Sequence, residues 1–215
     1  MIDSEFIGYG SFTDLELFKE FANKYGYKGS QNWNLPKWEE LKLIHPHDWE
    51  GQIGELWTDN ATSARYTAKK MQLSNGEFVE CNQKFHYDEP ALFRLICNET
   101  FTENRLQVIS EGECQFMFLP FGGLNYNAVD ALNILLSKIQ FRGYMNFRRP
   151  TIDELKNLLP VANALDGIEQ GWYWSSSEGG KFNAFKINFV ANDIYACKKS
   201  SDYSESLAFS IAVVE

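Results

Sequence analysis

The residues best suited to chemistry form the run His45-Pro46-His47-Asp48. Two imidazoles separated by one residue and followed by a carboxylate can bind a transition metal or act as a general base. A proline among polar residues is also the composition of an ordinary loop. We therefore take the loop interpretation as the prediction, and the sequence predicts no catalytic residue, no metal ligand and no cofactor.

Other reactive side chains give weaker signals. His86 is a lone histidine between predicted strands, so we expect an ordinary surface or core role. No G-x-S-x-G elbow, phosphate-binding glycine loop or H-E-x-x-H pair is present. The charge runs Lys198-Lys199 and Arg148-Arg149 are expected to be solvated. Four cysteines outside any C-x-x-C pair are expected to be buried, reduced thiols, with disulfides as the alternative in an exported protein: Cys81, Cys97, Cys114 and Cys197.

Composition and charge restrict the classes of partner. The chain of 215 residues is 44% hydrophobic and 15% aromatic, which is typical of globular domains. A formal net charge of −9 disfavours general nucleic-acid binding. No stretch approaches the roughly 20 apolar residues of a membrane span. The start, MIDSEFIGYG, shows no signal peptide, so a cytoplasmic location is expected by default, with a surface or a phage particle as alternatives.

The chain aligns with itself. Residues 27–42 match residues 141–156 without a gap, at an offset of 114 (150 − 36), and the match includes Gly29 with Gly143 and Pro36 with Pro150. Further on, Trp57 meets Trp174 after a small change of offset. Such self-similarity predicts a tandem duplication. The predicted repeats are residues 1–98 and 99–215, joined at a polar stretch near residues 98–103.

The order of elements is the same in both predicted repeats: a strand, two helices and then antiparallel strands. The first helix is predicted to begin at a Thr13–Glu16 capping box in one copy and at an Asn127 N-cap in the other. The second helix is predicted to open at Pro36 in the first copy, with a Thr151–Glu154 capping box in the second. Elements that occur in runs, rather than alternating, indicate an α+β fold.

Three motifs of the second repeat resemble a known family. Residues 149–155 (RPTIDEL), 172–178 (WYWSSSE) and 184–189 (AFKINF) resemble the pattern of the Legionella collagen-like C-terminal domain family, formerly a domain of unknown function. The resemblance covers about residues 124–214. In the first repeat, Trp57-Thr58-Asp59-Asn60 replaces the serine-rich run. The resemblance implies two tandem C-type-lectin-like domains, each with two helices and a small antiparallel sheet, of a kind found on bacterial surface and phage-related proteins.

The chain lacks residues that better-known proteins of this fold use for calcium binding and for catalysis. Calcium-dependent lectins of this fold use an amide after Glu-Pro, whereas this chain has Glu89-Pro90-Ala91, so no calcium site is predicted. Formylglycine-generating enzymes use a pair of nearby cysteines, whereas Cys197 stands alone in its region. Trp174 and the matching Trp57 are predicted to be buried structural residues.

The resemblance favours recognition over catalysis. We predict a non-enzymatic protein that binds a glycan or a protein through loops of a C-type-lectin-like fold. The alternatives are a structural subunit of a surface, pilus or phage-related assembly, and an enzyme that uses the His45–Asp48 loop. The oligomeric state stays open. The candidate ligand-binding residues are aromatic, amide and acidic side chains in the predicted loops: Trp57, Asn60, Tyr87, Glu178, Asn183 and Tyr203.

Overall fold

The helices begin at polar side chains that satisfy the first free amides. The computed structural model describes residues 7–37, 39–41, 54–59, 67–73, 77–82, 91–93, 95–97, 108–111, 114–162, 171–199 and 208–214. Its helices are α1 (Phe12–Tyr25), α2 (Tyr126–Lys138) and α3 (Ile152–Ala162), and a short helical stretch covers residues 39–41.

The N-caps of α1 and α2 lie two residues earlier than predicted. Ser11 Oγ accepts a bond of 3.2 Å from Asp14 N, and Asn125 Oδ1 accepts one of 2.8 Å from Ala128 N. The predictions of Thr13 and Asn127 were wrong because the apolar stripe was taken to start after the aromatic residue that opens each helix. Ser11 and Asn125 therefore occupy the same position of their helices.

The capping box of α3 is confirmed. Thr151 Oγ1 accepts a bond from Glu154 N at 3.2 Å, while Thr151 N donates to Glu154 Oε2 at 2.7 Å. Pro36, however, does not open a helix. It precedes the helical residues 39–41, and its carbonyl accepts a bond of 3.0 Å from Asp59 N. Pro36 therefore lies in the segment before the helix, and its carbonyl oxygen is hydrogen-bonded to the end of a neighbouring strand.

The first sheet has the strand order β1-β6-β3-β4-β5. Its strands are β1 (Gly8–Gly10), β3 (Glu55–Thr58), β4 (Thr67–Gln72), β5 (Phe78–Asn82) and β6 (Ala91–Phe93). Only the β3–β6 pair is parallel among these pairings of the described strands. A separate two-stranded pair joins β2 (Trp33–Asn34) and β7 (Ile96–Cys97).

The second sheet has the order β13-β12-β11-β14-β9-β8, with β10 also paired to β14. Its strands are β8 (Val108–Glu111), β9 (Cys114–Leu124), β10 (Phe147–Arg148), β11 (Trp172–Glu178), β12 (Asn183–Asn188), β13 (Asp193–Lys198) and β14 (Ala208–Val214). One face of this sheet packs on α3, where Leu155, Leu158, Tyr173 and Ile187 share a buried cluster. Helices grouped beside largely antiparallel sheets are compatible with the α+β class, although each of the two larger sheets contains one parallel pair, β3–β6 in the first and β11–β14 in the second.

The pairing registers of the two sheets correspond. Leu56 of β3 pairs with Leu92 of β6 in parallel, and Tyr173 of β11 pairs with Phe209 of β14 in the same sense. The antiparallel neighbour also matches, because Trp57 lies opposite Lys70 and Trp174 lies opposite Lys186. Each sheet therefore sets one tryptophan beside one lysine on the same face.

The chain divides into two compact units that are not contiguous in sequence. Unit 1 comprises residues 1–24, 30–100 and 138–143, and unit 2 comprises residues 25–29, 101–137 and 144–215. The predicted repeats were residues 1–98 and 99–215. The units differ from them by an exchange of two short segments, because residues 25–29 belong to unit 2 and residues 138–143 belong to unit 1. In unit 2 the Tyr27 ring centroid lies 5.2 Å from that of Phe121. The next residue is Gly122, where a Cβ would lie only 2.9 Å from Tyr25 O.

Candidate functional site

Trp174 forms the base of the candidate site in unit 2. Its side chain is buried, and its indole Nε1 donates to Leu124 O at 2.9 Å. The Tyr126 ring meets the indole edge to face, with centroids 5.4 Å apart. This geometry satisfies the polar edge of the indole while its apolar surface is removed from water. The prediction that Trp174 is buried is confirmed.

Trp57 has the same surroundings in unit 1. Its Nε1 donates to Gly10 O at 3.0 Å, and the Phe12 ring lies edge-on at 5.3 Å. Gly10 and Phe12 are the residues that the sequence alignment matches to Leu124 and Tyr126. The prediction that Trp57 is buried is confirmed, so its ring lies in the interior and not on a loop surface.

A buried lysine lies against each tryptophan. In unit 1 the Lys70 side chain is 1% exposed, and its Nζ lies 4.5 Å from the Trp57 ring centroid. Lys70 Nζ also forms an ion pair of 3.0 Å with Glu55, whose side chain is 36% exposed. An ammonium removed from water needs compensating charge or ring faces, and here it has both.

In unit 2 the corresponding lysine is surrounded by aromatic rings. Lys186 is 3% exposed, and its Nζ lies 5.1 Å from the Trp172 ring centroid. The centroids of Trp174 and Tyr195 lie 5.8 Å and 5.9 Å from the same atom. The negative faces of the three rings are directed at one cation, which is the geometry of a cation–π cluster.

Two of these rings reach the surface. Tyr195 of the edge strand β13 is 59% exposed, and Trp172 of β11 is half-buried. Their centroids are 6.3 Å apart, with the rings inclined by 59°. We call Trp172 and Tyr195 the aromatic platform. Exposed apolar surface that is contiguous can mark a recognition site.

Charged residues pack beside Tyr126 in unit 2. The Arg149 guanidinium carbon lies 3.3 Å from the Tyr126 ring centroid, and Arg149 Nη2 pairs with Asp130 at 2.8 Å. Burial lowers the pKa of Arg149, and the Asp130 carboxylate opposes that effect. The expectation that the Arg148-Arg149 run is solvated is wrong for Arg149, which is buried because Tyr126 and Asp130 compensate its charge.

Lys199 also departs from the solvated run expected from sequence. Its side chain is 20% exposed, and its Nζ lies 2.5 Å from Glu178 Oε1. The Lys199 hydrogen bond and charge lower the pKa of Glu178. Since Lys199 Nζ also lies 5.3 Å from the Tyr126 ring centroid, this ion pair lies beside the ring that packs on Trp174.

The structure places the predicted ligand-binding residues in separate locations. Glu178 is exposed at the end of β11, and Asn183 is half-buried at the start of β12. The two are brought together in the β11–β12 hairpin, where Gly179 N donates to Asn183 O at 2.9 Å. Trp57 belongs to unit 1 and does not join them. The other candidates lie outside the described residues: Asn60, Tyr87 and Tyr203, together with His45, His47, Asp48 and His86.

Metal ligands and thiols give no further site within the described residues. No group of three or more His, Cys, Asp or Glu side chains that could hold a metal occurs there. Cys97, Cys114 and Cys197 are outside any disulfide, and Cys97 is buried while the other two are half-buried. In the same part of the chain, no helix is both long enough and apolar enough to cross a membrane.

Sequence reasoning missed Trp172, Lys186 and Tyr195. A signal for Trp172 was present, because residues 172 and 174 must share a face of one strand. The positions of Lys186 and Tyr195 follow from the hairpin register, which pairs Trp174 with Lys186 and Lys186 with Tyr195.

No protein-family model matches the chain, and no curated protein matches it either.

Proposed function

We propose that this protein is a non-enzymatic recognition protein whose second unit binds a glycan on the aromatic platform. The observation that carries the proposal is the exposure of the Tyr195 ring beside Trp172, with centroids 6.3 Å apart. The electron-rich faces of the two rings can accept the polarised C–H groups of a sugar, while its hydroxyl groups stay in contact with water.

The surroundings of the platform support a prepared site. Lys186 lies beneath both rings and restricts their orientation through cation–π contacts. Rings that are fixed before the ligand arrives lose little conformational freedom on binding, so more of the contact energy appears as affinity. A small aromatic surface suits one or two sugar rings better than a protein, because a stable protein interface covers about 800 Å² on each partner.

We also propose that the chain is an internal duplication of one C-type-lectin-like domain, related to the Legionella collagen-like C-terminal domain family. The corresponding sheet registers and the paired Trp57 and Trp174 hydrogen bonds support the duplication. The three sequence motifs support the family. A bacterial surface or phage-related setting belongs to the same proposal.

A glycan array, followed by calorimetry with the strongest ligand, tests the binding proposal. Tyr195→Ala removes a platform ring and should weaken binding at least about tenfold, which corresponds to about 1.4 kcal/mol. Ile194→Ala is the matched control, because Ile194 is exposed on the same strand but its side chain points to the opposite face of the sheet.

Equal effects of the two variants, or an array without any bound glycan, would contradict the proposal. A melting temperature for each variant separates loss of binding from loss of fold. A purely structural subunit would show neither glycan binding nor sensitivity to Tyr195→Ala.

A further inference from the structure

Unit 1 contains a pocket that is independent of the aromatic platform. Its volume is about 460 Å³, within the usual range for small-molecule sites. We propose that this pocket binds a small organic carboxylate, which pairs with Arg142 while its apolar body lies against Tyr9 and Leu92. The described residues that line the pocket are Gly8, Tyr9, Leu92, Gln140, Arg142 and Gly143.

The walls of the pocket are tied together by backbone hydrogen bonds. Tyr9 N donates to Ile139 O at 2.7 Å, and Arg142 N donates to Ile7 O at 3.0 Å. Strand β1 is thereby joined to the turn that carries Gln140 and Arg142, and Gly143 N closes this turn with a bond of 2.8 Å to Gln140 O. Polar side chains on such a fixed backbone are positioned before a ligand binds.

The charge in the pocket favours a carboxylate. Arg142 is half-buried, and its guanidinium carbon lies 6.0 Å from the centroid of the buried Phe141 ring. A partly desolvated guanidinium binds the two oxygens of a carboxylate through paired hydrogen bonds. Among the described lining residues Arg142 supplies a positive charge, and a single charge matches a monoanion better than a doubly charged phosphate.

The remaining lining residues suit the body of such a ligand. Tyr9 is 41% exposed, so its ring is accessible for stacking, and Leu92 adds apolar surface. The Gln140 amide can both donate and accept a hydrogen bond. The pocket therefore combines one anion-binding group with an aromatic wall and a polar amide, which is the usual composition of a small-molecule site.

The backbone supports a functional reason for one of these side chains. Gln140 has φ 47°, a left-handed conformation that is uncommon for residues other than glycine. Arg142 has φ 52°, but the matched Lys28 has φ 48°, so that conformation occurs in both units and is not special to the pocket. The sequence alignment matches Gln140 to Gly26, which adopts φ 68° without a side chain, and matches Tyr9 to Gly123. Strained residues that glycine could replace are often kept at ligand sites.

Titration of the full-length, ¹⁵N-labelled protein with benzoate tests the inference, with neutral benzamide as the matched probe. We expect benzoate to shift the amide signals of Gly8, Tyr9 and Gly143 with a dissociation constant of about 1 mM or below. Benzamide should bind at least about tenfold more weakly, because it cannot pair with the guanidinium. Absence of shifts with benzoate up to 10 mM (about ten times the expected constant), or equal affinity for both probes, would overturn the inference.

Three variants locate the binding. Arg142→Asn removes the charge, and asparagine tolerates the left-handed conformation, so the fold should persist while benzoate affinity falls at least about tenfold. Lys198→Asn makes the same charge change on the exposed edge strand of unit 2 and should leave the affinity unchanged. Gln140→Gly should relax the backbone, leave the melting temperature no lower and weaken binding. Unchanged benzoate affinity in Arg142→Asn would place the anion elsewhere and refute the assignment.

Discussion

The buried lysines of the two units have similar positions but different partners. Lys70 and Lys186 lie opposite equivalent tryptophans and are nearly excluded from solvent. Lys70 is compensated by Glu55, the first residue of β3, whereas Lys186 is compensated by Trp172, the first residue of β11. A single position at the start of a strand therefore decides whether the lysine lies beneath a carboxylate or beneath an aromatic ring.

This difference separates a structural solution from a recognition surface. In unit 1 a carboxylate lies beside the ammonium, so this position presents an ion pair and no apolar ring face. Aromatic rings beside the ammonium leave unit 2 with apolar faces that water cannot solvate well. The same buried cation thus supports packing in one unit and supports an exposed platform in the other.

The largest expected effect tests whether the tryptophans are equivalent. Trp174→Ala should destabilise unit 2 by about 3–5 kcal/mol, because it removes a buried indole and its hydrogen bond to Leu124 O. Trp57→Ala should do the same to unit 1. Denaturant unfolding gives the size of the effect, and hydrogen exchange of backbone amides assigns it to a unit.

A melting temperature unchanged by Trp174→Ala, combined with lost glycan binding, would make Trp174 a ligand contact and not a packing residue. Trp174→Phe is the conservative control. It keeps most of the buried apolar surface and should recover part of the lost stability.

The next effect separates the two forms of compensation. Lys70→Met should cost about 1–2 kcal/mol, because it leaves the Glu55 carboxylate without its ion pair while 36% of that side chain stays in contact with water. Lys186→Met should cost less than about 1 kcal/mol, because methionine keeps apolar contact with the rings of Trp172, Trp174 and Tyr195. Urea unfolding of both variants measures the difference.

The double variant Lys70→Met with Glu55→Gln sharpens this result. It should recover part of the loss, because the carboxylate is no longer present. Equal losses in Lys70→Met and Lys186→Met would mean that the carboxylate and the rings compensate the ammonium in the same way.

A smaller effect tests the equivalence of the helix starts. Asn125→Ala and Ser11→Ala each remove an N-cap and should each cost about 1 kcal/mol. Asn125→Asp retains the acceptor oxygen and should be nearly neutral or stabilising. Thermal unfolding checks the series. If Thr13→Ala cost more than Ser11→Ala, the helix would start where the sequence predicted.

The smallest effect is a dependence on pH at the start of α3. The hydrogen bonds from Arg148 lower the pKa of Glu154 to about 2, with further bonds from Thr151. The pKa in the folded state is lower than in the unfolded chain, so the stabilisation is present above about pH 4.3. It is lost as the pH falls through about 2. The sequence alignment matches Arg148 to the neutral Asn34, so this form of acid sensitivity is expected at α3.

The size of this effect is limited because the partner side chain, Arg148, is 48% exposed, so solvent screens the pair to less than about 1 kcal/mol. Glu154→Gln removes the titrating group. Urea unfolding of the wild type and of this variant should therefore converge near pH 2. Parallel curves across the whole pH range would contradict the assignment.

The sequence could predict what depends on local pattern. Helix α3 and its Thr151–Glu154 capping box followed from spacing, and the burial of Trp57 and Trp174 followed from their position at a strand start. The burial of Arg149 could not be predicted from its neighbours, because Tyr126 and Asp130 come from a distant helix. The exchange of residues 25–29 and 138–143 could not be predicted either. An alignment of the chain with itself shows which segments are similar, but it does not show in which unit each segment packs.

That exchange has a consequence for biosynthesis. Apart from one segment, unit 1 ends at Thr100, yet it also needs Lys138–Gly143, which the ribosome makes later. Domains generally fold as units while the chain is being synthesised, with the N-terminal one first. Here the nascent unit 1 must wait for about forty more residues, at roughly 5–20 residues per second, before its last piece emerges. Unit 1 is therefore completed only after part of unit 2 has already been synthesised.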